Sequence, residues 1–352
     1  MPAPGRSEIA TTLYLIGDAG APHPDEPVLA ALGTALDDHP ENSLVVFLGD
    51  NIYPRGLPAE GDAGRLEAEL RLGAQLDLLE HHRVRGWFIP GNHDWARFSR
   101  GGWDAIRRQQ AMIAGRGVPG VALVPEGGCP GPVVTDVGDR IRLVFLDTQW
   151  WLQGGPKPAS AADGCAEFTE DGVERALAAA LSGADGRQVV VMGHHPLSSG
   201  GEHGGFFDWR DHLFPLRQLK PWLWIPLPGL GSVYPIARNF GVTSQDIPGP
   251  RYQAMIGAIS RAFREAPPLV YAAGHEHALQ VIEGGPARWQ LVSGAGILDH
   301  EGALTDVPGS RVALSDAGFM QLDFLSDGRV RLGVTTVDRA GRPTEVYARW
   351  IN

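Results

Sequence analysis

LVVFLGDNIY, residues 44–53, holds the pattern on which the reading of this chain turns. LVVFL has the length and the Val and Phe content of a buried strand. Gly49 at its exit permits a tight turn and close backbone approach, and Asp50 follows at once. The same order recurs along the chain: LYLIG (13–17) before Asp18, WFIPG (87–91) before Asn92 and His93, VVVMG (189–193) before His194, and LVYAAG (269–274) before His275. Open α/β sheets bind ligands in the crevice beyond the carboxyl ends of their strands. Strands that each end in a metal-binding residue type therefore predict one shared site on that edge.

The segments between these runs carry helical spacing. Residues 61–82 alternate charge with leucine, and residues 171–181 are Ala-rich and amphipathic; the charges of the first read as a solvated face. The last third changes character. Residues 319–325, 329–334 and 346–351 read as antiparallel strands separated by SDG and RAGRP turns. Early strand–helix alternation and late hairpins predict an α/β (α+β) fold of two stacked sheets flanked by helices. No composition break marks a linker, so 1–352 reads as a single domain. It carries an aromatic and Pro-rich insertion at about 205–266, between His194 and His275. That insertion includes Phe206, Phe207, Trp209, Trp222, Trp224, Tyr234, Phe240 and Tyr252. Fixed at both ends by ligand positions, it is expected to form a lid that narrows the cleft.

The 352 residues are 43% hydrophobic, enough for a sizeable core, and the formal net charge is -11. That balance makes the chain a poor candidate for non-specific nucleic-acid binding, which depends on clustered Lys and Arg. An anionic substrate remains compatible if metals make the site locally positive. No run of about 20 apolar residues predicts a membrane span; residues 221–237 are apolar but broken by four prolines. The start, MPAPGRSEIA, lacks the apolar stretch of a signal peptide. Cys129 and Cys165 lie in Gly-containing segments and read either as two free thiols or as one disulfide. A disulfide would imply an oxidising compartment. The expectation is an extracytoplasmic protein, with a cytoplasmic one as the alternative.

The candidate ligands are Asp18, Asp50, Asn92, His194, His275 and His277, with Tyr53 three residues after Asp50. Mixed oxygen and imidazole donors suit Zn, Fe or Mn. Two paired cations can clamp the attacking and leaving oxygens of an in-line displacement, and a carboxylate is the natural bridge between them. Asp147 and Thr148, after 141–146, read as a structural turn. His195 reads either as turned away from the metals or as contacting their ligands.

GDAG (17–20), GDNIY (49–53), GNHD (91–94), GHHP (193–196) and GHEH (274–277) resemble, in order, the blocks of the calcineurin-like metallophosphoesterases. The first block usually reads Asp-x-His there. Here Gly20 stands in the His position and Tyr53 is present, which looks like the purple acid phosphatase branch. The small tartrate-resistant type is most similar, since GHHPLSSGGEHG (193–204) and LVSGAGI (291–297) also look like its segments. The resemblance covers roughly 13–297. It implies a four-layer αββα sandwich of mixed sheets. It implies two metal ions: Asp18, Tyr53 and His277 on the first, expected to be Fe(III); Asn92, His194 and His275 on the second, expected to be Zn, Fe(II) or Mn; and Asp50 bridging. His93 and His203 would lie by the substrate phosphate, with Asp94 orienting His93. The implied activity is hydrolysis of small phosphate monoesters by a water held between the metals. A phosphodiesterase is the alternative, though Gly20 in place of His weakens it, and a metal-holding binding protein is a third reading.

Overall fold

The computed structural model describes residues 4–97, 99–207, 243–299 and 304–352, together with 210, 213–214, 216, 222–227 and 230–232. One sheet begins with four parallel strands, β1 (Ile9–Ile16), β2 (Ser43–Phe47), β3 (Arg85–Phe88) and β4 (Val121–Leu123). The second comprises β5 (Val133–Val137), β6 (Ile141–Phe145), β7 (Gln188–Met192), β8 (Val270–Ala273), β9 (Leu279–Glu283), β10 (Trp289–Ser293) and β11 (Ser310–Leu314). Its parallel centre is β6-β7-β8-β10, with β5 and the β9–β11 pair antiparallel at the edges. The chain then returns to the first sheet. The antiparallel strands β12 (Gly318–Leu325), β13 (Val330–Val337) and β14 (Pro343–Trp350) extend it beyond β1. Each sheet thus has seven strands and is mixed, as expected.

Strand periodicity decides how the layers stack. Successive side chains face opposite sides. In β1, Leu13 and Leu15 enter the core between the sheets, where they join Phe145, Val190, Met192 and Leu291. Tyr14 and Ile16 face outward into a second core with Leu29, Leu32, Leu72 and Leu76, from helices α1 (Pro27–Asp37) and α2 (Arg65–His82). Helix α3 (Gly102–Arg116) adds Ile106 and Ile113 to that layer. On the far side Val144 and Val191 pack with Trp150, Leu177, Tyr252 and Met255, from α4 (Gln149–Leu152), α5 (Glu170–Ser182) and α6 (Pro250–Ala262). The result is the four-layer αββα sandwich. Its central strands are apolar on both faces because both faces are covered.

The boundaries shift in two places. The helix expected from residue 61 begins at Arg65, because Gly61 and Gly64 hold φ of 83° and 81°. The last two strands expected at 329–334 and 346–351 span Val330–Val337 and Pro343–Trp350. Within the expected insertion, Tyr252 is fully buried and its hydroxyl donates to the carbonyl of Pro196 at 2.8 Å. It therefore belongs to the helical layer rather than to a lid. Trp222 and Trp224 are 69% and 53% exposed. Trp209, Tyr234, Phe240 and most of the rest of the expected lid lie outside the described residues.

Candidate functional site

The parallel strands of both sheets point the same edge at one crevice. Asp18 follows β1, Asp50 follows β2, Asn92 and His93 follow β3, His194 follows β7, and His275 and His277 follow β8. Three of these residues sit in the left-handed backbone region: Asp18 (φ 59°), Asp50 (φ 53°) and His275 (φ 70°). Such strain costs on the order of 1 kcal/mol or more per residue and collects at functional sites. The glycines at these strand ends answer to crowding. A Cβ on Gly91 would lie 2.3 Å from both the amide nitrogen and Oδ1 of Asp50. Gly20 is equally restricted, since a Cβ there would meet the backbone of residues 50–52 at 2.4–2.5 Å. The Gly20 carbonyl accepts the Tyr53 amide at 3.0 Å, so the two loops are zipped together with no room for a side chain at position 20.

The donor set converges. Nδ1 of His194 faces the Leu48 carbonyl at 2.8 Å, and Nε2 of His275 faces the Gln245 carbonyl at 2.9 Å. A carbonyl only accepts, so each of those ring nitrogens carries the proton. The opposite nitrogens, His194 Nε2 and His275 Nδ1, then face one another across 3.3 Å. The Asn92 Oδ1 joins them at 3.0 and 3.1 Å, and Asp50 Oδ1 is 3.5 Å from His194 Nε2. Beside this cluster, Asp18 Oδ1 accepts from the Tyr53 hydroxyl at 2.9 Å, and His277 Nε2 lies 3.1 Å from that hydroxyl and 3.5 Å from Asp18. The single ligand atoms of Asp18, Asp50 and His194 fall within 4.8 Å of one another, as do those of His194, His195 and His275. Acceptors gathered this closely repel unless a cation stands among them, so the residues fit a metal pair.

The electrostatics agree. Burial opposes ionisation of Asp50, yet His194 and His93 beside it outweigh burial and hold its carboxyl far below the carboxylate range. Burial likewise opposes a charge on His194, but Asp50 and Asp18 raise it to about 9. The pocket therefore demands positive charge, from a proton if from nothing else. His275 is driven well below its ordinary value by burial and by the imidazoles of His203, His195 and His194, which keeps its lone pair available. Burial, with Asp18 and Asp50 alongside, raises the Tyr53 phenol well above 10. Only a strongly acidic cation would make it a phenolate.

The other residues singled out take varied places. His93 packs at a tilt against Tyr53, ring centroids 4.2 Å apart and planes 52° apart, with Nδ1 on the Pro54 carbonyl at 2.7 Å and Nε2 3.9 Å from Asp50. It is this carbonyl, not Asp94, that orients the ring. Asp94 is buried and accepts instead from the amides of Gly91, Asn51 and Ile52 and from the Asn51 side chain, at 2.8–3.2 Å. It ties the Asp50 and Asn92 turns together, because its short side chain folds back beneath its own loop. His203 reaches the site, its ring 4.0 Å from that of His275 and Nδ1 3.3 Å from buried Asp246. His195 contacts the ligand shell from behind. The Thr148 hydroxyl accepts the His194 and His195 amides and so donates to His195 Nδ1 at 2.8 Å; His195 Nε2 then donates to Gln245 Oε1 at 2.9 Å.

Sequence reasoning missed Gln245, Asp246 and Glu276. Glu276 accepts from the Ser199 hydroxyl and from the amides of Glu202 and His203, holding the 199–203 loop over the site. Its position inside GHEH was the available signal. Gln245 and Asp246 follow no strand and carried none.

The sequence profile of the calcineurin-like phosphoesterases matches residues 11–224. Solved structures with the same fold include a purple acid phosphatase from yellow lupin (Lupinus luteus) seeds, at 14% identity and TM-score 0.57, covering 99% of this chain and 55% of that one. A dimetal phosphatase from Danio rerio aligns at 14% identity and TM-score 0.52, covering 98% and 99%. GAP50, the anchor in the inner membrane complex of Plasmodium, aligns at 15% identity and TM-score 0.56, covering 98% and 89%. A comparison with curated protein sequences returns no match.

Proposed function

Since this chain belongs to the calcineurin-like phosphoesterase family, we propose that it hydrolyses phosphate monoesters at a metal pair, in the manner of the purple acid phosphatases. Asp18, Tyr53 and His277 would hold one ion, Asn92, His194 and His275 the other, and Asp50 both. The observation that carries this reading is the convergence of His194 Nε2, His275 Nδ1 and Asn92 Oδ1 within 3.3 Å of one another, with the other nitrogen of each ring taken by a backbone carbonyl. When bound, two cations supply Lewis acidity and a water acidic enough to attack at neutral pH. The chain's own groups do the rest. His93 donates from Nδ1 to the Pro54 carbonyl and presents Nε2 toward the Asp50 side of the crevice, where the ring in its protonated form can donate to a phosphate oxygen. His203, backed by Asp246, can give a proton to the leaving group from the other rim.

Tyr53 and the crowding at Gly20 support the purple-phosphatase ligand set over a set with His at position 20. Fe(III) is the proposed partner of Tyr53, with Zn, Fe(II) or Mn in the second site. The Cys129–Cys165 disulfide supports an extracytoplasmic protein, and among the described residues no helix is long and apolar enough to cross a membrane. The test is hydrolysis of a chromogenic monoester and its matching diester, with and without chelator. Chelator-sensitive turnover of the monoester with little of the diester is expected. A preference for the diester would replace the monoesterase reading, and no turnover of either with two metals bound would leave a binding protein.

A further inference from the structure

We propose that Arg97 and Arg55 form a cationic rim beside His93 that selects substrates carrying a second phosphate next to the scissile one. This rests on the phosphomonoesterase reading above and names the class of substrate for the same site.

Both arginines are exposed, and among the described residues neither side chain makes an ion pair or a hydrogen bond. They flank His93 on two loops that pack against each other. His93 Nδ1 rests on the Pro54 carbonyl, one residue before Arg55. Gly56, one residue after it, abuts the same turn, since a Cβ there would lie 2.4 Å from the Asp94 carbonyl oxygen. Arg97 closes the turn that begins at Asn92. Its amide donates to the Asn92 carbonyl at 2.9 Å, and the Ala96 amide donates to the His93 carbonyl at 2.9 Å. Two consecutive non-glycine residues, Ala96 (φ 53°) and Arg97 (φ 52°), take left-handed backbone to make that return. Left-handed conformations at L residues are retained where the surroundings hold them, commonly at ligand sites. Here the conformation returns the backbone of Arg97 to the Asn92–His93 turn.

The rest of the molecule makes this placement informative. A chain of net charge -11 repels polyanions, and arginines on the two loops that hold His93 would offset that repulsion locally. A guanidinium offers a planar fork that matches phosphate oxygens two at a time. Arg55 also lines a cavity of about 500 Å³ between residues 53–58 and the start of α2, with Tyr53 as a wall shared with the candidate metal site. A phosphate bonded directly to the scissile one would leave the crevice on this side.

The experiment compares inorganic pyrophosphate with phenyl phosphate in wild type, Arg97→Ala, Arg97→Lys, Arg55→Ala and Arg175→Ala. The last removes an equal charge from α5, away from the crevice. The expected result is that the ratio of kcat/KM, pyrophosphate over phenyl phosphate, falls about tenfold or more in Arg97→Ala, less in Arg97→Lys and Arg55→Ala, and not in Arg175→Ala. Methylenediphosphonate binding, followed by calorimetry, should weaken in the same order, while methylphosphonate binding changes less. An unchanged ratio and unchanged methylenediphosphonate affinity in both Arg97→Ala and Arg55→Ala would overturn the rim. If wild type turns over neither compound, the phosphatase reading fails, and the methylenediphosphonate arm still decides whether the arginines recognise a second phosphate.

Discussion

Replacing Gly20 by alanine adds one methyl group, and the structure states what it meets. The new Cβ would lie 2.4 Å from the Asn51 carbonyl carbon and the Asp50 carbonyl oxygen, and 2.5 Å from the Ile52 nitrogen. All three are backbone, so no side chain can swing aside. Ordinary contact begins about 1 Å further out, and the 17–20 loop or the 50–53 loop must yield by that amount. The 50–53 loop is pinned, since Asp94 binds the Asn51 and Ile52 amides and Gly20 itself holds the Tyr53 amide. Overpacking of this kind costs ~1–3 kcal/mol. The larger effect should be chemical. A shift of about 1 Å in Asp50 or Tyr53 separates the groups proposed to bridge and hold the metals, and such a misplacement costs on the order of 100-fold in rate. Gly20→Ala should therefore melt a few degrees lower, bind fewer than two metals per chain at stoichiometric supply, and lose about 100-fold in kcat. Thermal melts, elemental analysis and monoester turnover on one preparation check this. A variant with wild-type melting, two metals and wild-type turnover would refute the claim that loop contact keeps position 20 empty.

Asp50→Ala should lose both metals and all measurable activity, whereas Asn92→Ala should mainly weaken one site; two ions still bound per chain in the Asp50 variant would remove its bridging role. If the ion beside Tyr53 is ferric, a visible charge-transfer band should be present and should vanish in Tyr53→Phe, and a colourless, fully active native protein would exclude a phenolate ligand. His93→Ala and His203→Ala should retain metals by elemental analysis yet lose ~100- to 10,000-fold in turnover of esters with poor leaving groups; a normal rate in His203→Ala would move that residue off the reaction. Asp147 is buried and its carboxyl is pushed up to about 8, chiefly by burial. Its folded pKa exceeds the unfolded value near 3.8, so the folded state holds the extra proton and stability falls as pH rises from about 4 to 8. Asp147→Asn should flatten that decline by on the order of a few kcal/mol, and parallel slopes in denaturant titrations across the range would show that Asp147 does not cause it.

The sequence alone determined where the candidate ligands lie and which edge they share. LVVFLG before Asp50 is legible because a buried strand, a glycine exit and a polar residue are local events, each set by neighbours within a few positions. Repetition of that local pattern implied a parallel sheet with its ligand residues at one end, and the late hairpins implied the antiparallel additions. What only the tertiary structure decided are the relations between residues far apart in the chain. Asp94 braces Asn51 and Ile52 rather than His93, because which backbone amides lie under a short carboxylate depends on how two loops pack. Gln245 and Asp246 stand behind His195, His275 and His203 although no strand or motif announces them. The protonation of His194 and His275 follows from the Leu48 and Gln245 carbonyls, 146 and 30 positions away. Hydrogen bonds of that span leave no periodicity in sequence; they form only after the two sheets have stacked and brought their strand ends within reach of one another.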